Sequence, residues 1–463
     1  MDRTDIYLQL VMENPLLMAP VVLFIFAFAI IPSDKRFFLM LVILVPWLTI
    51  GRSGGLGPIA AAAKLSSGGA YLLIALSAFL HPGPKREIPY VVWMFVIIAC
   101  VSILYVVTTQ ERMLALVLRS QWICVTLAGV LTARTIVRFG DLKRVVNAMT
   151  LGCLIALIIP ISGWILFPSE SFLRGMGRFQ PWGVNSNQIG MLFALAAPLF
   201  AYAAMTHKNV SLKPFFLFAL IITIGMALMT ASRQTMLAVI LVMLPVMLVL
   251  TKRPVMTVLG LGVAAIALPF ILSLGAEADL QRYSSLETGR LDIWGAYFTE
   301  VFPKRPLFGL LGTSGQSYFK AINEVGQHPH NAWLYLMYIG GLSFAVPMIY
   351  LTVYSTYSGW MVWKYRNVLP GDPFLYSILI MILVAMYIQG LFNQVVYWPT
   401  YAWSFLHVVF ASLFICMWRD IRDGNVQGAL FEDYDPYSDE VEDDTEEFEE
   451  YQDYGRVVQR PTS

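Results

Sequence analysis

Gln327-His328-Pro329-His330-Asn331-Ala332-Trp333-Leu334 closes a hydrophilic interruption, residues 275–329, and opens a hydrophobic helix. Apolar runs of membrane-spanning length stand on both sides of it. The chain has 463 residues, of which 58% are hydrophobic and 13% charged, and its mean hydropathy is +0.66. Soluble domains carry about 25% charged residues, so this composition excludes a soluble helical bundle and points to a polytopic membrane protein. The first fifteen residues are mixed polar and do not resemble a cleaved signal peptide. There are five histidines, and His328 and His330 stand one residue apart where the polar loop meets the next helix. Titratable groups collected at one membrane face point to chemistry there rather than to mere spanning. Cys100, Cys124, Cys153 and Cys416 lie inside apolar runs without paired spacing. They read as small core hydrophobes rather than a disulfide set or a metal site.

Hydropathy predicts spans near 16–31, 37–50, 66–80, 89–107, 113–133, 145–167, 186–205, 214–230, 235–250, 255–274, 331–362, 374–396 and 401–418. The second and third are short or glycine-interrupted, and 331–362 is long enough to tilt or to project from the bilayer. Lys35-Arg36, Lys85-Arg86, Arg134 through Lys143-Arg144, Lys208 with Lys213, Lys252-Arg253, Lys364 with Arg366, and Arg419 with Arg422 all fall in alternate loops. The positive-inside rule makes that face cytoplasmic. Segments 169–188, 230–235, 275–329 and 393–400 then share the outer face. Twelve spans would place the N-terminus inside and thirteen outside.

Net charge +1 conceals a split. Residues 431–463 hold thirteen acids and two arginines, a balance of −11, so the remainder carries +12. An acidic tail poor in aliphatics reads as disordered. Its tyrosines, Tyr434, Tyr437, Tyr451 and Tyr454, lie among acids and suit phosphorylation or a basic partner only weakly.

Three arginine-bearing segments share the outer face with the histidine pair. The first runs from Arg174 through Arg178-Phe-Gln-Pro-Trp-Gly-Val-Asn185-Ser-Asn187-Gln188, rich in glycine and polar residues, and opens a helix near Asn185. The second is Thr230-Ala-Ser232-Arg233-Gln234, a polar break between two apolar helices. The third is Thr288-Gly289-Arg290-Leu-Asp292-Ile-Trp294. From Arg290 onward, Leu291, Trp294, Tyr297, Phe298 and Val301 recur at helical spacing, which predicts an amphipathic interfacial helix. Arg174 has a plain reading, contact with lipid headgroups. Arg233, at the tip between two apolar helices, reads either as facing a cavity or as a snorkelling anchor.

Asn331 suits a helix N-cap. A histidine beside a helix N-terminus feels positive potential, which favours the neutral base form. That suits His330 as a general base, with His328 as the rival base or as its orienter. No third ligand has spacing for a metal. Arginine forks match phosphate oxygens, and a nearby base activates a hydroxyl. In a membrane this combination describes glycosyl transfer from a polyprenyl-pyrophosphate donor.

These residues resemble the O-antigen ligase and polymerase superfamily of bacterial integral-membrane glycosyltransferases. Arg178 through Asn187-Gln-Ile-Gly190 is similar to the family's Arg…Gly…Asn-Pro-Asn helix opening, and Ser232-Arg233 resembles its Ser-Arg turn. Gly289-Arg290 with Trp294, then Pro306-Leu-Phe-Gly-Leu-Leu-Gly312, is similar to its loop signature. His328-Pro-His330-Asn331-Ala-Trp-Leu334 with Gly340-Gly341 resembles its closing motif. The motifs cover residues 170–345. Ser186 stands where the family has proline between the asparagines, and Met337, Tyr338 and Ile339 stand where it has an acid before the glycine pair.

The resemblance implies an all-α polytopic membrane protein with about 12–13 transmembrane helices, one large periplasmic loop and a disordered acidic C-terminal tail. The expected divisions are 1–274 (N-terminal helices), 275–330 (periplasmic loop with the motifs), 331–422 (C-terminal helices) and 423–463 (cytoplasmic tail). It implies His330 as the base, with His328 beside it, and Arg233 and Arg290 on the pyrophosphate, with Arg178 as a third. Asn187, Ser232, Trp294 and Asn331 are supporting residues. The implied donor is a glycan on undecaprenyl pyrophosphate, and the implied acceptor is a second glycan, lipid A–core or a protein hydroxyl. The bilayer of the bacterial inner membrane is a partner. No metal, cofactor or nucleic acid is expected. A non-catalytic lipid-linked glycan transporter is the rival reading. It expects ionisable residues at the membrane midplane on broken helices. A scaffold acting through the acidic tail is a third.

Overall fold

The structure, a computed structural model, describes residues 25–26, 28–108, 112–172, 177–251, 290–309, 330–393 and 402–424. His328, Arg174, the expected span 255–274, most of 16–31, turn residues 394–400 and the acidic tail lie outside the described residues. Among the described residues the protein is helical with no β-strand, an all-α polytopic membrane protein.

The long helices are α1 (Ser33–Ile50), α2 (Pro58–Leu80), α3 (Tyr90–Leu104), α4 (Arg112–Thr135), α5 (Phe139–Leu166), α6 (Ser186–Thr206), α7 (Lys213–Met229) and α8 (Arg233–Thr251). A short α9 (Arg290–Ala296) and α10 (Ala332–Gly340) are followed by α11 (Leu342–Lys364), α12 (Pro373–Phe392) and α13 (Ala402–Arg422). Nine helices among the described residues are long and apolar enough to cross a membrane. Five of the long helices keep an interior proline: Pro46, Pro160, Pro198, Pro245 and Pro347. Apolar membrane helices tolerate proline because neighbouring groups satisfy the freed backbone. The hydroxyls of Ser77, Thr126, Thr150 and Thr223 donate to carbonyls one turn back, so these polar groups are satisfied within their own helices.

The basic loops meet at one end of the bundle. Arg86 N–H donates to Arg134 O at 2.8 Å, and its guanidinium reaches Ile136 O at 3.2 Å and Asp420 at 2.8 Å. Burial pulls the Arg86 guanidinium below its ordinary range, and Cys416 and Asp420 push it back up. This ion pair is nearly dry, with 4% and 13% of the two side chains exposed. Breaking it by removing Asp420 would strand a buried charge.

The expected single span 331–362 is instead two helices. Gly341 takes φ +61°, a left-handed conformation, and splits α10 from α11. The break has a steric cause: the 306–309 segment packs on the glycine pair. Leu342 N–H donates to Pro306 O at 2.8 Å and Ser343 N–H to Leu307 O at 3.1 Å. A Cβ on Gly309 would sit 2.6 Å from Gly341 N and 2.7 Å from Tyr338 O.

The face of the loop helix also differs from expectation. Ile293 and Tyr297 are buried, while Leu291 and Phe298 point outward. Tyr297 begins a π-helical turn (Tyr297–Val301), and its ring lies 6.2 Å from that of Tyr338 on α10. Docking on α10 therefore selects the 293/297 stripe over the wider one in the sequence.

Candidate active site

At the end opposite the basic loops, the motif segments are held together by specific bonds. Asn185 caps α6, its side chain accepting from Asn187 N–H at 2.9 Å. Ser232 caps α8, its hydroxyl accepting from Thr235 N–H at 3.3 Å. Asn331 caps α10, accepting from Trp333 N–H at 2.9 Å and Leu334 N–H at 3.1 Å. Arg290 is the first residue of α9. Each motif therefore sits at a helix N-terminus, where first-turn N–H groups and the helix dipole favour an anion.

Arg178 joins the first two segments. It is 8% exposed; Nε donates to Thr230 O at 3.3 Å and Nη2 to Asn187 Oδ1 at 2.9 Å. Phe179 N–H adds a bond to Met229 O at 3.0 Å. Gly190 lets α6 and α8 approach: a Cβ there would lie 2.7 Å from Thr235 Cγ2 and 2.8 Å from its Cβ. Gly190→Ala is accordingly expected to cost about 1–3 kcal/mol by overpacking, read as a lower Tm of the detergent-solubilised protein. An unchanged Tm would contradict this close approach.

The link to the histidine segment runs through the last turn of α12. Gln389 Nε2 donates to Gln234 O at 3.4 Å, and two residues on, Leu391 O accepts from Asn331 Nδ2 at 3.1 Å. Asn331 thus caps its own helix and satisfies an end carbonyl of α12. Arg233 is half-buried at the start of α8, and His330 is exposed beside the cap of α10. Trp294 is partly buried against the core. The described backbone of Arg290 places it at the head of the loop helix that docks on α10.

Among the described residues, three non-glycine residues have left-handed φ: Trp182 at 54°, Ala231 at 47° and His330 at 46°. One falls in each of three motif segments. Such strain costs of order 1–3 kcal/mol and concentrates at functional sites. Beside Arg233, buried polar atoms of Ser186, Gln234, Thr235 and Gln389 have no hydrogen-bond partner among the described residues. Buried polar groups normally carry a partner, so these four residues stand out within the packed interior.

Gln389 lies in a span that hydropathy reads only as apolar, and nothing in its neighbours marks it. Arg119 is a buried arginine that the sequence analysis did not single out. It is 7% exposed, four residues inside the span Ala115–Thr135, and in electrostatic range of Tyr335 on α10. Here the sequence does hold a signal, an arginine well inside an apolar run. The Tyr297 phenol is buried, which raises its pKa and keeps it protonated. A small open cleft of about 40 Å³ at the same end is lined by Thr49, Arg52, Val184, Gln188, Leu192 and Trp403. Among the described residues no cluster of histidine, cysteine and carboxylate side chains has the makings of a metal site.

No curated protein matches the chain. A family model described as O-Antigen ligase matches residues 218–346, a stretch that holds most of α7, the Ser232-Arg233 turn, α8, α9, His330 and the glycine break. Arg178, Asn187, Gln389 and Arg119 lie outside it. Over these residues, somewhat more than a quarter of the chain, the protein is similar to the O-antigen ligase family.

Proposed function

We propose that the protein transfers a glycan from undecaprenyl pyrophosphate to an acceptor hydroxyl on the periplasmic face of the bacterial inner membrane. The family match supports a ligase- or polymerase-type activity in general. The finer reading rests above all on one observation: the helix N-termini carrying Ser232-Arg233 and His330-Asn331 lie at one end of the bundle, tied through the last turn of α12. In this reading His330 takes the proton of the acceptor hydroxyl. The acceptor oxygen bonds to the anomeric carbon, the bond from that carbon to the phosphate oxygen breaks, and undecaprenyl pyrophosphate leaves with the electron pair. Arg233 and Arg290 meet the pyrophosphate, and Ser232 presents Arg233 by capping α8. Arg178, with two of its donors given to Thr230 and Asn187, holds the Arg233 turn in place. His328 orients His330, and Trp294 anchors α9.

The experiment is incubation of purified protein with undecaprenyl-pyrophosphate-linked glycan, in EDTA and without nucleotide. Parallel reactions contain lipid A–core, a protein acceptor, or no added acceptor. Glycosylated lipid A–core identifies a ligase, longer lipid-linked chains a polymerase, and a glycosylated protein an O-oligosaccharyltransferase. Movement of the donor across vesicles with no new glycosidic bond would favour the transporter instead. Deleting residues 431–463 is expected to leave the transfer rate within about twofold, because solvated acidic tails contribute little to a packed site. Loss of transfer on that deletion would favour the scaffold reading.

A further inference from the structure

Phe167 and Trp182 form an aromatic pair at the outer end of α5. Their rings lie 5.1 Å apart, edge to face at 67°. Phe167, the residue after the end of α5, is 42% exposed, and Trp182 is half-buried. Tryptophan is common at membrane surfaces, where its polar N–H meets the headgroups and its rings meet the chains. Trp182 does not fit that role. Its indole N–H turns inward, donating to Ile159 O at 3.1 Å and to the Ser162 hydroxyl at 3.2 Å. What it leaves to the outside is ring carbon.

The ring is also held in place at a cost. Trp182 takes φ 54° and ψ 26°, a left-handed conformation that disfavours a bulky side chain. Two glycines clear its site. A Cβ on Gly163 would lie 2.8 Å from Trp182 Cδ1, and one on Gly55 would lie 2.9 Å from Trp182 O. A residue that merely anchors a loop in lipid needs neither the strain nor the clearance.

The pair stands on the loop that carries Arg178. Trp182 is four residues on from Arg178, at most about 14 Å along the backbone, and Arg178 bonds Thr230 O in the turn before Arg233. In the turn after Phe167, Ser169 and Glu170 are exposed. A pyranose ring presents a face of C–H groups with partial positive charge and a rim of hydroxyls. The face of an aromatic ring carries the matching negative potential, and a carboxylate accepts from hydroxyls.

We infer that Phe167 and Trp182 form a platform for a sugar ring of the donor glycan, beyond the pyrophosphate that Arg233 meets. This deepens the proposed transfer and rests on it for the identity of the donor.

The test is binding with and without sugar. Wild type, Phe167→Ala, Phe167→Tyr and Trp182→Gly in nanodiscs are titrated with undecaprenyl-pyrophosphate-linked glycan and, separately, with bare undecaprenyl pyrophosphate, and Tm is recorded without ligand. Wild type is expected to bind the glycan-bearing lipid more tightly. Phe167→Ala should weaken that lipid by about three- to tenfold, the scale of one aromatic contact, and leave the bare lipid unchanged. Phe167→Tyr should keep the preference. Trp182→Gly, which suits the left-handed backbone, should lose more of it than Phe167→Ala. Equal losses for both lipids would mark a membrane anchor and overturn the inference. So would the absence of any preference in wild type, or unchanged binding of the glycan-bearing lipid in folded Phe167→Ala. If Trp182→Gly does not fold, the Phe167 variants decide alone. If wild type prefers the glycan-bearing lipid but never transfers glycan, the transfer reading fails while the platform is still judged by these titrations.

Discussion

His330→Ala is expected to lower the rate of glycan transfer by about 10³-fold, within the range a general base contributes, with donor KM little changed. A loss that large could also arise from the backbone, because His330 holds φ 46°. Two further variants separate the causes. Asparagine tolerates the left-handed region and glycine is at home there, but neither accepts a proton at neutral pH. His330→Asn and His330→Gly should therefore be as inactive as His330→Ala, while their Tm equals or exceeds that of wild type. Relief of left-handed strain is worth about 1–2 kcal/mol. Asn331 stays in place in all three variants, with its cap on Trp333 and Leu334 and its bond to Leu391. His330→Asn with near-wild-type transfer would remove the proton-accepting role. Under the same reading, His328→Ala should cost much less than His330→Ala.

The second large effect is at Arg233. Arg233→Ala is expected to reduce kcat/KM for the donor by about 10²–10³-fold, the range seen when one preorganised donor to a developing anion is lost. Arg233→Lys keeps the charge but not the planar fork, so it should fall between. The structure offers a reason for arginine at this position. Ser232 caps α8, and Arg233 begins the helix, so the side chain extends from a helix N-terminus that already favours anions. Ala231 holds φ 47° immediately before it, and Arg178 ties the carbonyl of Thr230. The turn is thus fixed on both sides. Kinetics of Arg233→Lys and Arg290→Lys with varied donor are the check. Full activity in both would leave a point charge and no fork.

Much of this fold is written in local sequence. Long apolar runs broken by basic loops predict α6 through α8 within about two residues at each end, and three of the basic loops do share one end, as the Arg86–Asp420 and Arg86–Arg134 contacts show. Errors cluster where small residues decide. The span expected at 66–80 begins at Pro58, because Ala60 to Ala63 pack at 5% exposure or less and extend the helix through a weakly hydrophobic stretch. The long 331–362 run is cut at Gly341 because the 306–309 segment lies against it, a contact invisible to hydropathy. The caps at Asn185 and Asn331 are local chemistry and legible. What joins them is not. Gln389 and Leu391 look like any residues of an apolar span, yet they carry the link between Gln234 and Asn331. Arg178 and Asn187 meet across nine positions only because the intervening loop folds back through Trp182, whose indole N–H reaches Ile159 O at 3.1 Å.

The most direct measurement is the fate of the phosphate. Wild type and His330→Asn would be given undecaprenyl-pyrophosphate-linked glycan and acceptor in EDTA, and the released lipid followed by phosphorus NMR alongside the glycan product. The account predicts one free undecaprenyl pyrophosphate per new glycosidic bond from wild type, and neither product from the folded variant. Release of undecaprenyl phosphate instead, a requirement for added metal, or transfer that persists in His330→Asn would contradict it.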